Sequence, residues 1–269
     1  MVNYKANHLK EKLINYNIVN KSMLKYPIST LLYLAKINIK DKIQDILKLH
    51  NNIDVKLTVT VKDKDGKIIK VHKQKSHSFL MNYLAMIATL MSNPYGSSNN
   101  YYYFQSTAGT WWSYASNYDT NVLNTLTILD GANDSTYGIV VGSGTSPPKP
   151  MDYQLESLIQ NGTGNGQLVY GAVTVSPTPG TSTLQGATTQ PSTGLLNVSG
   201  NTTSFSISRT FQNQSGASIT VSETGIITEA TLNGNVAEYV LLIHDLLSSP
   251  ITIPNGGVMA ITYTISVTT

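Results

Sequence analysis

Cysteine is absent from all 269 residues. That excludes disulfide staples, thiolate nucleophiles and cysteine-held zinc, while leaving the compartment open, since a chain without thiols is indifferent to redox. Charge is scarce as well. Asp, Glu, Lys and Arg make up 12% of the chain, about half the ~25% of ordinary soluble domains. Ser, Thr, Asn, Gly and Tyr take their place, a composition that suits secreted or particle-forming proteins better than cytosolic enzymes. Basic residues are nearly missing from the longer, C-terminal part: residues 76–269 hold two bases and nine acids, whereas residues 1–75 hold sixteen bases and six acids. The asymmetry suggests that the two ends face different surroundings; the basic head suits either contact with nucleic acid or with an acidic neighbouring subunit, or simply a lysine-coated helical surface.

Catalytic and cofactor motifs are missing too. The five histidines, His8, His50, His72, His77 and His244, form no i,i+4 pair and no His-Glu-x-x-His, so no metal site is expected. His77 lies between Ser76 and Ser78, but without a G-x-S-x-G nucleophile elbow these serines read as helix caps. His244 and Asp245 read as a satisfied structural pair. Glu223 and Glu229 are the only carboxylates that invite comparison with a glycosidase pair, and spacing is all that suggests it. Gly142-Ser-Gly144 and Gly162-x-Gly164-x-Gly166 resemble pieces of nucleotide loops but complete neither G-x-G-x-x-G nor a Walker motif. They read as turns, no cofactor is expected, and the protein is not expected to be an enzyme. The six N-x-[ST] sequons, including Asn161 and Asn213, are about as many as chance supplies in so Ser/Thr-rich a chain.

Long apolar runs are lacking. The most apolar stretch, residues 78–91, is too short for the ~20 residues that a spanning helix needs, and no secretory leader precedes it. No membrane span is expected, and synthesis in the host cytoplasm is.

What remains falls into order along the chain. Residues 1–50 carry apolar stripes at helical spacing among lysines: Leu9, Leu13, Ile14 and Ile18, then Leu31, Leu32, Leu34 and Ala35, then Ile39, Ile43, Ile46 and Leu47. In residues 54–73, Val55, Leu57, Val59 and Val61 alternate with polar residues before a Lys64-Asp65-Gly66 turn, which predicts a hairpin with one buried face. Residues 78–91 predict a helix that is apolar all round except at Asn82 and Thr89, hence buried. Its Phe79, Leu80, Tyr83, Leu84, Ile87 and Met91 are candidate subunit contacts.

Residues 95–118 concentrate aromatics. Tyr101, Tyr102, Tyr103, Phe104, Trp111, Trp112 and Tyr114 are candidates either for packed strand residues or for a stacking platform for glycans. A strand is expected over 122–129 and another over 138–141. Asp152 then predicts the N-cap of a short helix through Leu155, Leu158 and Ile159, followed by a strand over 167–175. Residues 176–203 read as a Ser/Thr/Gly-rich loop that cannot make its own core. Short strands follow over 204–210, 219–221, 225–229, 239–244, 251–253 and 258–267, and this regular spacing suggests a β-sandwich.

The stretches GIVVGSGTSPPKPMDYQLESLIQNG, QLVYGAVTV, SFSISRTFQNQSGASITVSETGI and LLIHDLLSSPITIPNGGVMAITYTI, with the upstream KSHSFLMNYLAMIATLM, resemble virion structural proteins of archaeal viruses and tailed phages, of the fibre, spike or decoration kind. The resemblance spans about residues 70–269. It implies a virion component of capsid, tail or fibre, with no catalytic residues to carry over, whose partners are other virion proteins and copies of itself in a homo-oligomer. A host-surface glycan is the alternative partner, met through residues 101–114. The expected architecture is mainly β, a β-sandwich of jelly-roll-like form, with a helical, basic N-terminal region. Residues 1–75 would anchor the particle or make the subunit contact, and residues 76–269 would form the displayed β-rich domain.

Overall fold

A computed structural model describes residues 53–76, 78–92, 103–113, 126–177, 196–232 and 236–268. The stripes expected in residues 1–50 and most of the 176–203 loop lie outside the described residues, as do Tyr101, Tyr102 and Tyr114. The chain divides into two compact units, and the larger runs from Asp54 to Val267. The 54–73 hairpin, which the charge pattern groups with the basic head, is thus built into the β unit.

That unit is mainly β. The hairpin forms as the alternation demands: β1 (Ile53–Lys62) pairs antiparallel with β2 (Ile68–Lys75). Val55, Leu57, Val59 and Val61 are all buried, and Gly66 takes the positive φ of 80° that the turn requires. A long sheet runs in the order β2, β1, β13 (Val258–Thr268), β10 (Thr202–Gln212), β7 (Val169–Tyr170), with β8 (Thr174–Ser176) and β9 (Asn197–Ser199) also on β10. A second sheet joins β12 (Val236–Ile253), β11 (Ile219–Leu232) and β5 (Leu126–Thr127), with β6 (Gly138–Gly142) on β11. A two-stranded ribbon pairs β3 (Tyr103–Gln105) with β4 (Trp111–Ser113). Both large sheets supply side chains to a single buried apolar cluster, from Leu57, Met259 and Ile261 to Ile139, Val221 and Leu241.

Three expectations change. The separate short strands predicted over 219–229 and 239–253 are two long strands, bent by register shifts at Val221/Glu223 and Ile226/Ile227; such bulges break the alternation that periodicity reads. The helix predicted from Asp152 does not form. Ser143 N–H donates to the Ser157 carbonyl and Ile159 N–H to the Val141 carbonyl, so this segment runs along β6 as a strand-like rail. Pairing there outcompetes an isolated turn of helix, which is marginal by itself. Leu155 and Ile159 are buried as their spacing suggested, but from a loop.

The third change concerns α1 (Met81–Ser92). Its apolar composition predicts burial all round, yet Leu84 is 64% exposed while the polar Asn82 is 2% exposed. The Asn82 amide donates to the carbonyls of Gln105 (3.0 Å) and Leu241 (3.1 Å) and accepts from Gln105 N–H (3.0 Å). It joins helix, ribbon and β12 at one point. Asn82→Ala is expected to lower stability by about 2 kcal/mol, because it orphans the buried Leu241 carbonyl and the half-buried Gln105 N–H and carbonyl. Urea denaturation followed by fluorescence reads this directly, since both tryptophans of the chain lie in β4.

The chain's only arginine, Arg209, lies at the heart of β10 with its side chain wholly buried. Its guanidinium donates to the Asp130 carboxylate (2.8 Å) and to the carbonyls of Gly131, Asp134, Tyr137, Ile139 and Gly171 at 2.6–3.1 Å. It also lies over the Tyr170 ring, 4.8 Å from its centroid. Five N–H groups thus serve six acceptors and hold the loop before β6 against the other sheet. Burial raises the Asp130 pKa, with the Arg209 hydrogen bond and charge opposing it.

Candidate functional site

The chemistry-bearing side chains converge where β6 meets β11. Glu223 lies in a register shift of β11, opposite Gly142. Its buried carboxylate accepts four hydrogen bonds. Oε1 takes Gly144 N–H (3.0 Å) and Ser157 N–H (2.8 Å), while Oε2 takes Glu156 N–H (3.1 Å) and His244 Nε2 (2.8 Å). The far side of the imidazole meets Asp152: Nδ1 lies 2.9 Å from Oδ2. Asp152 also accepts from Lys149 N–H at 2.7 Å. In this way β12 supplies the histidine, β11 the glutamate and the proline-bearing loop the aspartate.

The glycines of Gly142-Ser-Gly144 make room for this carboxylate. A Cβ on Gly142 would come within 2.6 Å of the Ser157 carbonyl and would strike the Glu223 carboxylate, and one on Gly144 would lie 2.6 Å from Oε1. They are therefore clearance for a buried anion as well as a bend. Gly142→Ala should cost about 1–3 kcal/mol of stability, because backbone on one side and a fully bonded carboxylate on the other leave nothing free to yield. Thermal melting of the variant beside an exposed control such as Gly131→Ala, whose Cβ meets nothing within 4 Å, isolates the effect. The Gly162–Gly166 loop, by contrast, is a turn around the Gln167 side chain, which accepts Gly164 N–H at 2.9 Å.

The electrostatics follow from this geometry. Burial disfavours the charged His244, but hydrogen bonds to Glu223 and Asp152 outweigh it, and the pKa rises above its ordinary 6.5. Burial likewise opposes ionisation of Glu223, yet His244 and the Ser157, Glu156 and Gly144 N–H groups prevail and the pKa falls below 4.5. An imidazole flanked by two carboxylates is satisfied at both nitrogens only as the imidazolium. Neither nitrogen is left to activate a nucleophile, and Glu223 has all four acceptor positions filled. The Ser146 hydroxyl, which lines the same cleft as His244, donates to Glu156 (2.7 Å), which also takes Thr145 and Ser146 N–H and is held below its ordinary pKa chiefly by the Ser146 hydrogen bonds. The cluster acts as a charged pin fastening the loop to the sheet.

Two sequence readings give way here. His244 does not pair with Asp245, because neighbours on a strand point to opposite faces. Asp245 lies on the other side, near the fully buried Tyr263, whose phenol is pushed well up by burial and further by that carboxylate. Glu223 and Glu229 do not form a glycosidase pair, since six steps along the strand separate them by about 20 Å, against the roughly 5–9.5 Å such chemistry uses. Glu229 lies opposite Thr127 and Tyr239. Among the described residues, no group of three or more His, Asp or Glu is arranged to hold a metal, and no helix is long and apolar enough to cross a bilayer.

The aromatic tract divides. Phe104 and Trp112 face each other across the ribbon and turn inward, Phe104 buried and Trp112 packed on the core. Tyr103 and Trp111 are 57% and 47% exposed on the outer face. Of the candidate subunit contacts, Leu80 is core, Leu84 is exposed, and Phe79, Tyr83 and Ile87 are half-buried, with Phe79 and Tyr83 in ring contact at 4.5 Å. The Met91 side chain lies outside the described residues.

Two clefts flank the pinned loop. One, of about 290 Å³, lies over Asp152 and His244 beside Lys149 and Met151. The other, of about 530 Å³, lies between residues 154–160, Thr107 and Ser135. The shared wall is Gln154, Leu155 and Glu156. No family model, curated protein or solved structure matches the chain.

Proposed function

We propose that the protein is a viral structural protein, a component of the virion in its capsid, tail or fibre, which assembles through subunit contacts and displays its β unit as a β-sandwich of jelly-roll-like form. The division of charge carries this reading: residues 1–53 hold nine bases and three acids, whereas residues 54–269, which contain the β unit, hold nine bases and twelve acids. A head and a body of opposite sign attract across copies. The ionisable groups of the body support it, because Arg209, His244 and Glu223 are consumed by internal bonds. So do the apolar side chains left outside, Leu84 on α1 and Ile68, Ile69 and Val71 on the edge strand β2, which offer surface for other copies or other virion proteins.

Sedimentation of the full chain beside residues 54–269 tests the reading. The full chain should sediment as a defined homo-oligomer that weakens as salt screens the opposed charges, and the shortened chain as a smaller species. A full chain that stays monomeric at every concentration contradicts it. The same measurement with added nucleic acid reads whether the basic head serves phosphate contacts, which make affinity fall steeply with salt.

A second reading, attachment to host-surface glycans, is favoured by one observation: Tyr103 and Trp111 are exposed on the outer face of the ribbon. If this face stacks on sugar rings, Trp111→Ala should weaken glycan binding by about 1–2 kcal/mol, read on a glycan array.

A further inference from the structure

We propose that the 530 Å³ cleft beside the pinned loop binds a neutral saccharide. Its volume falls in the range of small-molecule sites, about 300–1,000 Å³. Thr107, Ser135, Thr136, Gln154, Ser157 and Gln160 form its walls, and no lysine, arginine or histidine lines it. The one carboxylate, on Glu156, is engaged by Thr145 and Ser146. Nothing in the lining would offset the charge of a phosphate or carboxylate ligand, which selects an uncharged one.

Hydroxyls and amides both donate and accept, as sugar hydroxyls also do. Among the described residues, the Gln154 side-chain amide, the Gln160 amide nitrogen and the Thr107 hydroxyl have no hydrogen-bond partner, so they are free for a ligand. The floor is apolar, made by Leu155, Leu158 and Ile227, and suits the C–H face of a pyranose ring. A cleft with an apolar floor and uncharged polar walls matches the two-faced surface of a sugar.

The walls are also fixed beforehand, which lowers the cost of ordering them on binding. Asn161 N–H donates to Ser135 Oγ, and the Ser135 hydroxyl donates to Gln160 Oε1. Glu223 clamps the N–H groups of Glu156 and Ser157. Thr107 N–H donates to the Tyr239 carbonyl (2.8 Å), and the Tyr239 ring stacks on Tyr137, next to Thr136 in the chain.

This site is separate from the exposed aromatic face, and it stands whether or not the protein assembles into particles. Saturation-transfer NMR on the full chain, with a panel of neutral oligosaccharides built from glucose, galactose, mannose and N-acetylglucosamine, tests it. The expected result is transfer to at least one of them, with affinity reduced about tenfold in the double variant Gln154→Ala/Gln160→Ala. Both side chains are exposed, so the variant should keep its fold, and its melting temperature checks this. No transfer to any oligosaccharide overturns the proposal. So does binding that the double variant leaves undiminished, including the case in which Trp111→Ala removes it.

Discussion

Replacing Arg209 with methionine is expected to destabilise the β unit by about 3–5 kcal/mol, the usual cost of removing one partner of a buried ion pair. Two losses combine. Asp130, itself buried, loses its cation. The carbonyls of Gly131, Asp134, Tyr137, Ile139 and Gly171 lose their donor, and an apolar side chain of similar length offers them nothing. Arg209→Lys should recover less than half of the loss, because a single ammonium with three N–H groups cannot span acceptors arrayed around a planar fork. Adding Asp130→Asn to the methionine variant separates the two contributions. If the carbonyls dominate, the double variant stays close to the single one; if the ion pair dominates, it recovers. Chemical denaturation with tryptophan fluorescence gives each value, and a loss under about 1 kcal/mol for Arg209→Met would place it among ordinary substitutions and contradict the structural account.

The second large effect is a pH window set by the Asp152–His244–Glu223 pin. His244 has a raised pKa in the fold. Its contribution is complete below the ordinary value near 6.5 and is lost as pH rises through the folded value. Glu223 has a lowered pKa. Its contribution is complete above about 4.5 and is lost as pH falls through the folded value. Stability from the pin should therefore be greatest between about pH 4.5 and 6.5. His244→Phe should cost about 3 kcal/mol within that window, since it leaves Glu223 buried without its cation, and should flatten the alkaline decline. Melting temperatures of wild type and variant across pH 4–9 report both. An alkaline limb identical in the two proteins would show that His244 is not the titrating group.

How far the sequence foretold this structure depends on the range of the interaction. The β1–β2 hairpin was readable because alternation and an Asp-Gly turn are local, and β10 because Phe205, Ile207 and Arg209 alternate with serines. The role of Arg209 was not readable, although one arginine in a chain otherwise served by lysine was a clue. The pin was hidden. Glu223 meets Gly144, Ser157 and Glu156 across 66 to 79 residues of chain, and no periodicity reports contacts of that range. The glycines that clear space for its carboxylate looked like ordinary turn residues. The helix expected from Asp152 failed for the same reason: spacing marks which residues are buried, not whether a neighbouring strand will claim their backbone. In α1, composition predicted a buried cylinder, whereas the polar Asn82 is buried because it has distant carbonyls to reach.

The geometry describes a β unit whose buried charges, Arg209, Asp130, Glu223 and His244, are spent on holding loops in place, preceded by residues 1–53, which hold nine bases and three acids. The proposed role in a virion rests on that division of charge. The central claim is met most directly by immunogold electron microscopy and mass spectrometry of purified particles released from the producing cells, using antibody raised against residues 54–269. The account predicts regular gold decoration of particle surfaces and the full chain at fixed stoichiometry among the particle proteins. Particles that lack the chain, with the protein found only in the soluble cell fraction, would contradict it.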